Sequence, residues 1–127
     1  MSELRILLIE DSLADAVLTQ RALEGGDGAA RFELTVARTL GEGIDRLVQG
    51  FDAILLDLTL PDSLGPETVT RMRAAARELP IVVLSGTQDP VTVDRCLREG
   101  ADAYREKGRI DSNDLRHILN RAIAGER

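Results

Sequence analysis

Three short runs along the chain are apolar at every position: "ILLI" (Ile6–Ile9), "AILL" (Ala53–Leu56) and "IVVL" (Ile81–Leu84). A strand with one face in water alternates apolar and polar residues. Continuous runs of this length therefore predict strands covered on both faces, as in a parallel sheet between helix layers. "RFELTV" (Arg31–Val36) does alternate, with Phe32, Leu34 and Val36 on one side, and predicts a strand nearer an edge. "DAYREK" (Asp102–Lys107) is a weaker fifth strand.

Helical patterns separate these runs. Val17, Leu18 and Ala22 suit a helix over 13–24, stopped by "GGDG", a glycine-rich turn with neither dinucleotide nor Walker A spacing. "TLGEGIDRLVQG" opens with Thr39 and carries Glu42 three residues on, a capping box, and Leu40, Ile44, Leu47 and Val48 are its predicted buried stripe. "GPETVTRMRAAARE" has Pro66 near its first turn and Val69 and Met72 facing inward. A fourth helix takes Asp89 as N-cap and Pro90 as its first residue, with Gly100 as stop. Leu115, Ile118, Leu119, Ala122 and Ile123 mark the last helix. Strand and helix thus alternate five times with short connections, which predicts an α/β fold with a parallel sheet. No linker, repeat or low-complexity tract interrupts the pattern. A single domain over 1–127 is expected, with its core at about 4–123.

Composition narrows the functional classes. The 127 residues are 43% hydrophobic and 30% charged, with a formal net charge of -6. An acidic chain of this kind is not expected to bind nucleic acid or an anionic membrane directly. The N-terminus, "MSELRILLIEDS", is no signal peptide, because its apolar run is short and acids follow at once. No segment approaches the roughly 20 apolar residues of a membrane span. Cys96 is the only cysteine, which excludes an intrachain disulfide and a cysteine metal cluster. A cytoplasmic location is expected.

In a parallel α/β sheet, function gathers at the carboxyl ends of the strands. The first strand ends in Glu10 and Asp11, the third in Asp57, the fourth in Ser85 and the fifth in Lys107. Each has a plainer reading. Asp11 or Ser12 suits a helix cap, Glu10 a solvated strand end, Asp57 a turn cap, Ser85 a turn hydroxyl and Lys107 a surface lysine. Taken together on one rim they say more. Three neighbouring carboxylates repel unless a cation intervenes. Mg²⁺ takes a few carboxylate oxygens and keeps several waters. A lysine and a hydroxyl beside it suit the oxygens of a phosphoryl group. A carboxylate placed there can itself be the nucleophile, giving an aspartyl-phosphate.

At these residues the sequence resembles a response regulator receiver domain of two-component signalling, of the chemotaxis-regulator kind. The likeness spans Leu4 to about Ile123 and rests on "LLIEDS", "ILLDLTLPD", "PIVVLSG" and "GADAYREKG", with "EDSLADA" and "LPDSLGPE" also in the family's manner. The resemblance implies a flavodoxin-like, three-layer, doubly wound (βα)5 fold with strand order 2-1-3-4-5. It implies that Asp57 accepts a phosphoryl group from a sensor histidine kinase or a histidine phosphotransfer protein. Glu10, Asp11, Asp57 and the backbone carbonyl of Thr59 would hold Mg²⁺. Lys107 would contact the phosphoryl group, Ser85 would hydrogen-bond it, and Tyr104 would be the switch aromatic whose ring turns inward. The change would reach a partner-binding face made of the fourth helix, fifth strand and fifth helix, with homodimerisation on activation left open. Two positions depart from the family. Gly108 replaces a proline often found in a cis bond after the lysine, and Ser85 stands where threonine is common.

Other readings and residues carry less weight. A haloacid-dehalogenase-like phosphohydrolase would need a second acid where Thr59 stands, and a cap domain. A non-phosphorylated pseudo-receiver, a pure binding module, would usually lack part of the acid and lysine set. His117 reads as an ordinary helix residue and Cys96 as a small core or boundary residue, while Arg95, Arg98 and Arg105 suit a partner-binding face or, as scattered arginines usually are, a solvated surface. With the pattern filling the chain, it is expected to act by binding partners or passing its phosphoryl group on, unless it is a receiver within a longer protein.

Overall fold

A computed structural model describes residues 3–25 and 31–125. Most of the "GGDG" turn lies outside them. The first strand, β1 (Glu3–Ile9), leads into helix α1 (Leu13–Glu24), followed by β2 (Arg31–Ala37) and α2 (Leu40–Arg46). Next come β3 (Ala53–Leu56) and a two-residue pair, β4 (Thr59–Leu60) and β5 (Ser63–Leu64). The chain continues with α3 (Glu67–Ala75), β6 (Ile81–Ser85), α4 (Pro90–Arg98), β7 (Ala103–Glu106) and α5 (Ser112–Ile123).

Five strands form one parallel sheet in the order β2-β1-β3-β6-β7, while β4 and β5 make a small antiparallel hairpin of their own. Counted among the sheet strands alone, this is the expected 2-1-3-4-5. The three continuous apolar runs are the three central strands, and alternate residues of each go to opposite faces. Leu7, Ile9, Ile54, Leu56, Ile81 and Val83 pack with Leu40, Val69, Met72 and Cys96 from α2, α3 and α4. Ile6, Leu8, Ala53, Leu55, Val82 and Leu84 pack with Ala16, Leu23, Leu115 and Leu119 from α1 and α5. Phe32, Leu34 and Val36 of the edge strand β2 join this second core, as their alternation predicts. Arg116 binds the second layer together: its guanidinium stacks 4.9 Å from the Phe32 ring and donates to the Leu23 carbonyl.

The helix ends follow from their capping residues. The hydroxyls of Ser12 and Thr39 and the carboxylates of Asp89 and Asp111 each accept the backbone N–H three residues on. The capping box at α2 is displaced by one residue, because Glu42 accepts from the N–H of Arg38 rather than of Thr39. Gly100 has φ of 120°, a conformation only glycine adopts freely, and its place after α4 matches the stop read from sequence.

One expected helix face is corrected. Val48 is 89% exposed rather than buried, because α2 ends at Arg46 and tightens into a 3-10 turn over Leu47–Gln49. The change from 3.6 to about 3 residues per turn swings Val48 off the stripe that keeps Leu40 fully buried and Ile44 and Leu47 packed on the core. On α1 the inward positions are Ala16, Thr19, Ala22 and Leu23, whereas Val17 and Leu18 face water. Val69, Met72, Cys96 and the last helix's Leu115, Leu119 and Ala122 are buried as expected, and His117 is exposed.

The end of the sheet opposite the polar rim is held by Arg73. Its guanidinium donates to the carbonyls of Gly100, Ala76 and Leu79 and to the Asp102 carboxylate at 3.1 Å, which also accepts from the N–H of Ile81. Removing the cation leaves a buried carboxylate and several carbonyls short of donors. Arg73→Met is expected to lower unfolding stability by about 2–4 kcal/mol in urea titrations.

Candidate functional site

At the carboxyl end of the sheet, β1 and β3 stop where their last apolar residue gives way to an acid. Glu10 follows β1 and is only 2% exposed; Asp57 follows the central strand β3 and is 4% exposed. Asp11 is the most solvent-facing of the three acids. One carboxylate oxygen from each of Glu10, Asp11 and Asp57 lies within 4.8 Å of the others. Lys107 opens the 3-10 turn Lys107–Arg109 after β7, and its ammonium reaches back across the sheet into this cluster. Nζ stands 2.6 Å from Glu10 Oε1, 2.9 Å from Asp15 Oδ2 and 3.3 Å from Asp57 Oδ2. The second oxygens of Glu10 and Asp57 are also engaged: Ser12 N–H donates to Glu10 Oε2 and Leu58 N–H to Asp57 Oδ1.

The electrostatics are those of crowded acids around one cation. Burial pushes the Glu10 carboxyl up from 4.5 to about 7, against the Lys107 hydrogen bond and with the Asp57 charge adding to the rise. Burial alone would pull the Lys107 ammonium down, but its bonds to Glu10 and Asp15 and the nearby charges of Asp57 and Glu10 win, and its pKa lies above the ordinary lysine value. The donor set is all hard carboxylate oxygen, with more acid than lysine can balance. That fits a divalent cation of the Mg²⁺ or Mn²⁺ type.

Ser85 and Tyr104 form a second group on the neighbouring strands. Ser85, the last residue of β6, is buried, and its Oγ accepts from the N–H of Thr87 at 3.3 Å. Tyr104 on β7 is 9% exposed, with its ring inward, and its hydroxyl donates to the carbonyl of Thr87 at 2.6 Å. Thr87 thus joins the two through its own backbone. Burial raises the tyrosine's pKa, so it stays a phenol at physiological pH. Thr59 lies on β4 with its side chain exposed. Gly108 sits inside the 3-10 turn, and no peptide bond among the described residues is cis.

One residue of the site was not foreseen. Asp15, on the first turn of α1, carries one of the lysine's three carboxylate contacts. Its signal was present only as an acid following an N-cap serine, which reads equally as a helix-dipole residue. Away from the cluster, Asp62 in the loop after β4 accepts from the N–H groups of Leu40 and Gly41, both at 2.9 Å, and caps α2 from outside. These bonds hold its carboxyl below the ordinary value.

A pH test follows from Glu10. Because its folded pKa exceeds the unfolded one, the native state holds the extra proton between about pH 4.5 and 7. The resulting stability is present below 4.5 and lost as pH rises through 7. In urea titrations with a chelator present, wild type is expected to lose up to about 3 kcal/mol more than Glu10→Gln across that window.

The comparisons with known proteins agree with this geometry. Residues 6–120 match the family described as the response regulator receiver domain. The chain is 35% identical over 105 residues to the swarming motility regulation protein RssB of Serratia marcescens, covering 82% of this chain and 46% of that protein. It therefore spans just under half of that relative's length. Among solved structures, a CheY-like response regulator receiver domain protein from Methanospirillum hungatei aligns with a TM-score of 0.80 and 27% identity, covering 98% of this chain and 96% of that one. The Mn(2+)-bound form of response regulator Rcp1 aligns with a TM-score of 0.70 and 25% identity, over 93% of this chain and 91% of that one. With the fold, the acidic cluster and its lysine in place, this chain belongs to the response regulator receiver domain family of two-component systems.

Proposed function

We propose that this receiver unit is a phosphoacceptor in a two-component phosphorelay. It takes a phosphoryl group onto Asp57 from a sensor histidine kinase or a histidine phosphotransfer protein. In the transfer, an Asp57 carboxylate oxygen bonds to phosphorus as the P–N bond of the phosphohistidine breaks, and the electron pair returns to the imidazole nitrogen. The observation that carries this reading is the position of Asp57. It stands at the carboxyl end of the central strand, 3.3 Å from the Lys107 ammonium and clustered with Glu10 and Asp11. Its Oδ1 is held by the Leu58 N–H while Oδ2 faces the lysine, so one oxygen is oriented and the other is available to react.

Glu10, Asp11, Asp57 and the Thr59 carbonyl would hold Mg²⁺, a choice supported by the Mn(2+)-bound relative. When bound, the ion offsets negative charge on the site's carboxylates and on phosphoryl oxygens. Lys107 would bind phosphoryl oxygens and Ser85 would donate its hydroxyl to one of them. An engaged Ser85 would favour one arrangement of the Thr87 backbone and of Tyr104, which already sits inward on it. The affected surface is α4, β7 and α5, where a downstream protein would bind. The chain acts as a signalling module; its own chemistry is gain and loss of the Asp57 phosphoryl group. No helix among the described residues is long and apolar enough to cross a membrane. A kinase-fed receiver of this kind would work in the cytoplasm.

The complete acid and lysine set weighs against a pseudo-receiver, and Thr59 in place of a second acid weighs against a hydrolase. Incubation with acetyl phosphate and Mg²⁺, followed by phosphate-affinity electrophoresis, tests the reading. Wild type is expected to gain one labile adduct per chain, and Asp57→Asn none. Lys107→Ala is expected to label about ten- to a hundredfold more slowly. Absence of an adduct on wild type, or its persistence in Asp57→Asn, refutes the proposal.

A further inference from the structure

Lys107 is held by three carboxylates, and only two of them belong to the acid cluster. The third is Asp15, whose Oδ2 lies 2.9 Å from Nζ, closer than the 3.3 Å to Asp57. The contact joins residues 92 positions apart, from the first turn of α1 and the turn after β7. The backbone beneath Asp15 is fixed, because its N–H donates to the Ser12 hydroxyl at 3.2 Å. The Asp15 side chain is 40% exposed, whereas that of Glu10 is 1% exposed. An ion pair so open to water contributes little to folding. Its effect falls on the lysine: Glu10 and Asp15 hold the ammonium closer than Asp57 does.

An ammonium has three N–H donors and one charge. A carboxylate that occupies one donor and offsets part of the charge leaves less for the oxygens of an incoming phosphoryl group. Asn at this position keeps the shape and a carbonyl acceptor but removes the negative charge. Glu keeps the charge on a longer arm.

We propose that Asp15 is a positioning residue that restrains Lys107 and so slows phosphoryl uptake at Asp57. This rests on the phosphoacceptor reading of Asp57. Asp15 touches no reacting atom. It acts through the lysine, setting how readily the ammonium turns from its resting carboxylates to a phosphoryl oxygen.

The full chain, labelled with acetyl phosphate and Mg²⁺ at two ionic strengths, provides the test. Asp15→Asn is expected to label about three- to tenfold faster than wild type, with Asp15→Glu returning toward the wild-type rate. In a Lys107→Ala background, Asp15→Asn is expected to leave the rate unchanged, since the restraint has nothing to act on. Urea midpoints of Asp15→Asn and wild type are expected to agree, separating the effect from a helix-terminus contribution to folding. An Asp15→Asn rate equal to or below wild type overturns the inference. So does an acceleration that persists without Lys107 or vanishes at high salt, either of which would mark simple repulsion of the anionic donor. If wild type labels at Asp57 while these rates do not change, only the role of Asp15 falls. If wild type does not label at all, the phosphoacceptor reading falls and this inference with it.

Discussion

A sheet buried on both faces has nowhere to put charge except at the ends of its strands. In this chain the central strands β1, β3 and β6 are apolar through most of their length, and helices cover both sides. Because the strands run parallel, all of their carboxyl ends emerge on one edge. Glu10, Asp57, Ser85 and Lys107 meet there because the core expels them in the same direction, although 97 positions separate the first from the last. The site is therefore a consequence of topology before it is one of chemistry.

Once gathered, these groups impose their own constraint. Glu10 and Asp57 are buried deeply enough that burial raises the carboxyl of Glu10 to about 7, and Lys107 is the cation that makes the arrangement tolerable. The same lysine joins the turn after edge strand β7 to the ends of β1 and β3 across β6. Arg73 performs the corresponding task at the other end of the sheet, where it gathers backbone carbonyls and Asp102. A single cation at each end thus organises groups contributed by loops distant in sequence.

How legible these features were in the sequence depended on how local their causes are. The central strands could be read because full burial suppresses the polar half of the usual alternation. Helix starts could be read at Ser12, Thr39 and Asp89 because each acts on an N–H group three residues away; Asp111 caps the last helix in the same way. The acids and lysine at the strand ends followed from the strand assignments. Val48 was misplaced because nothing local announces that α2 will tighten into a 3-10 turn. On α1 the inward face is not told by apolar size, because the small residues Ala16 and Ala22 are buried while Val17 and Leu18 face water. Asp15 and Asp62 act on partners far along the chain, and a sequence scan sees only their neighbours. The β4–β5 hairpin, two residues to a strand, is too short to carry a period.

The two loops flanking the acidic cluster are anchored very differently. The loop after Asp57 is folded on itself by the Gly65 N–H to Leu58 carbonyl bond, and Asp62 pins it to the start of α2. The stretch after Ser85, from Gly86 to Asp89, is exposed and leads directly into α4. It is nevertheless tied at three points, by Ser85 Oγ to the Thr87 N–H, by the Tyr104 hydroxyl to the Thr87 carbonyl and by Asp89 to the first turn of α4. Each loop that leaves the acidic cluster therefore carries the cap of a helix, Asp62 for α2 and Asp89 for α4, so a shift of either one loosens a helix N-terminus.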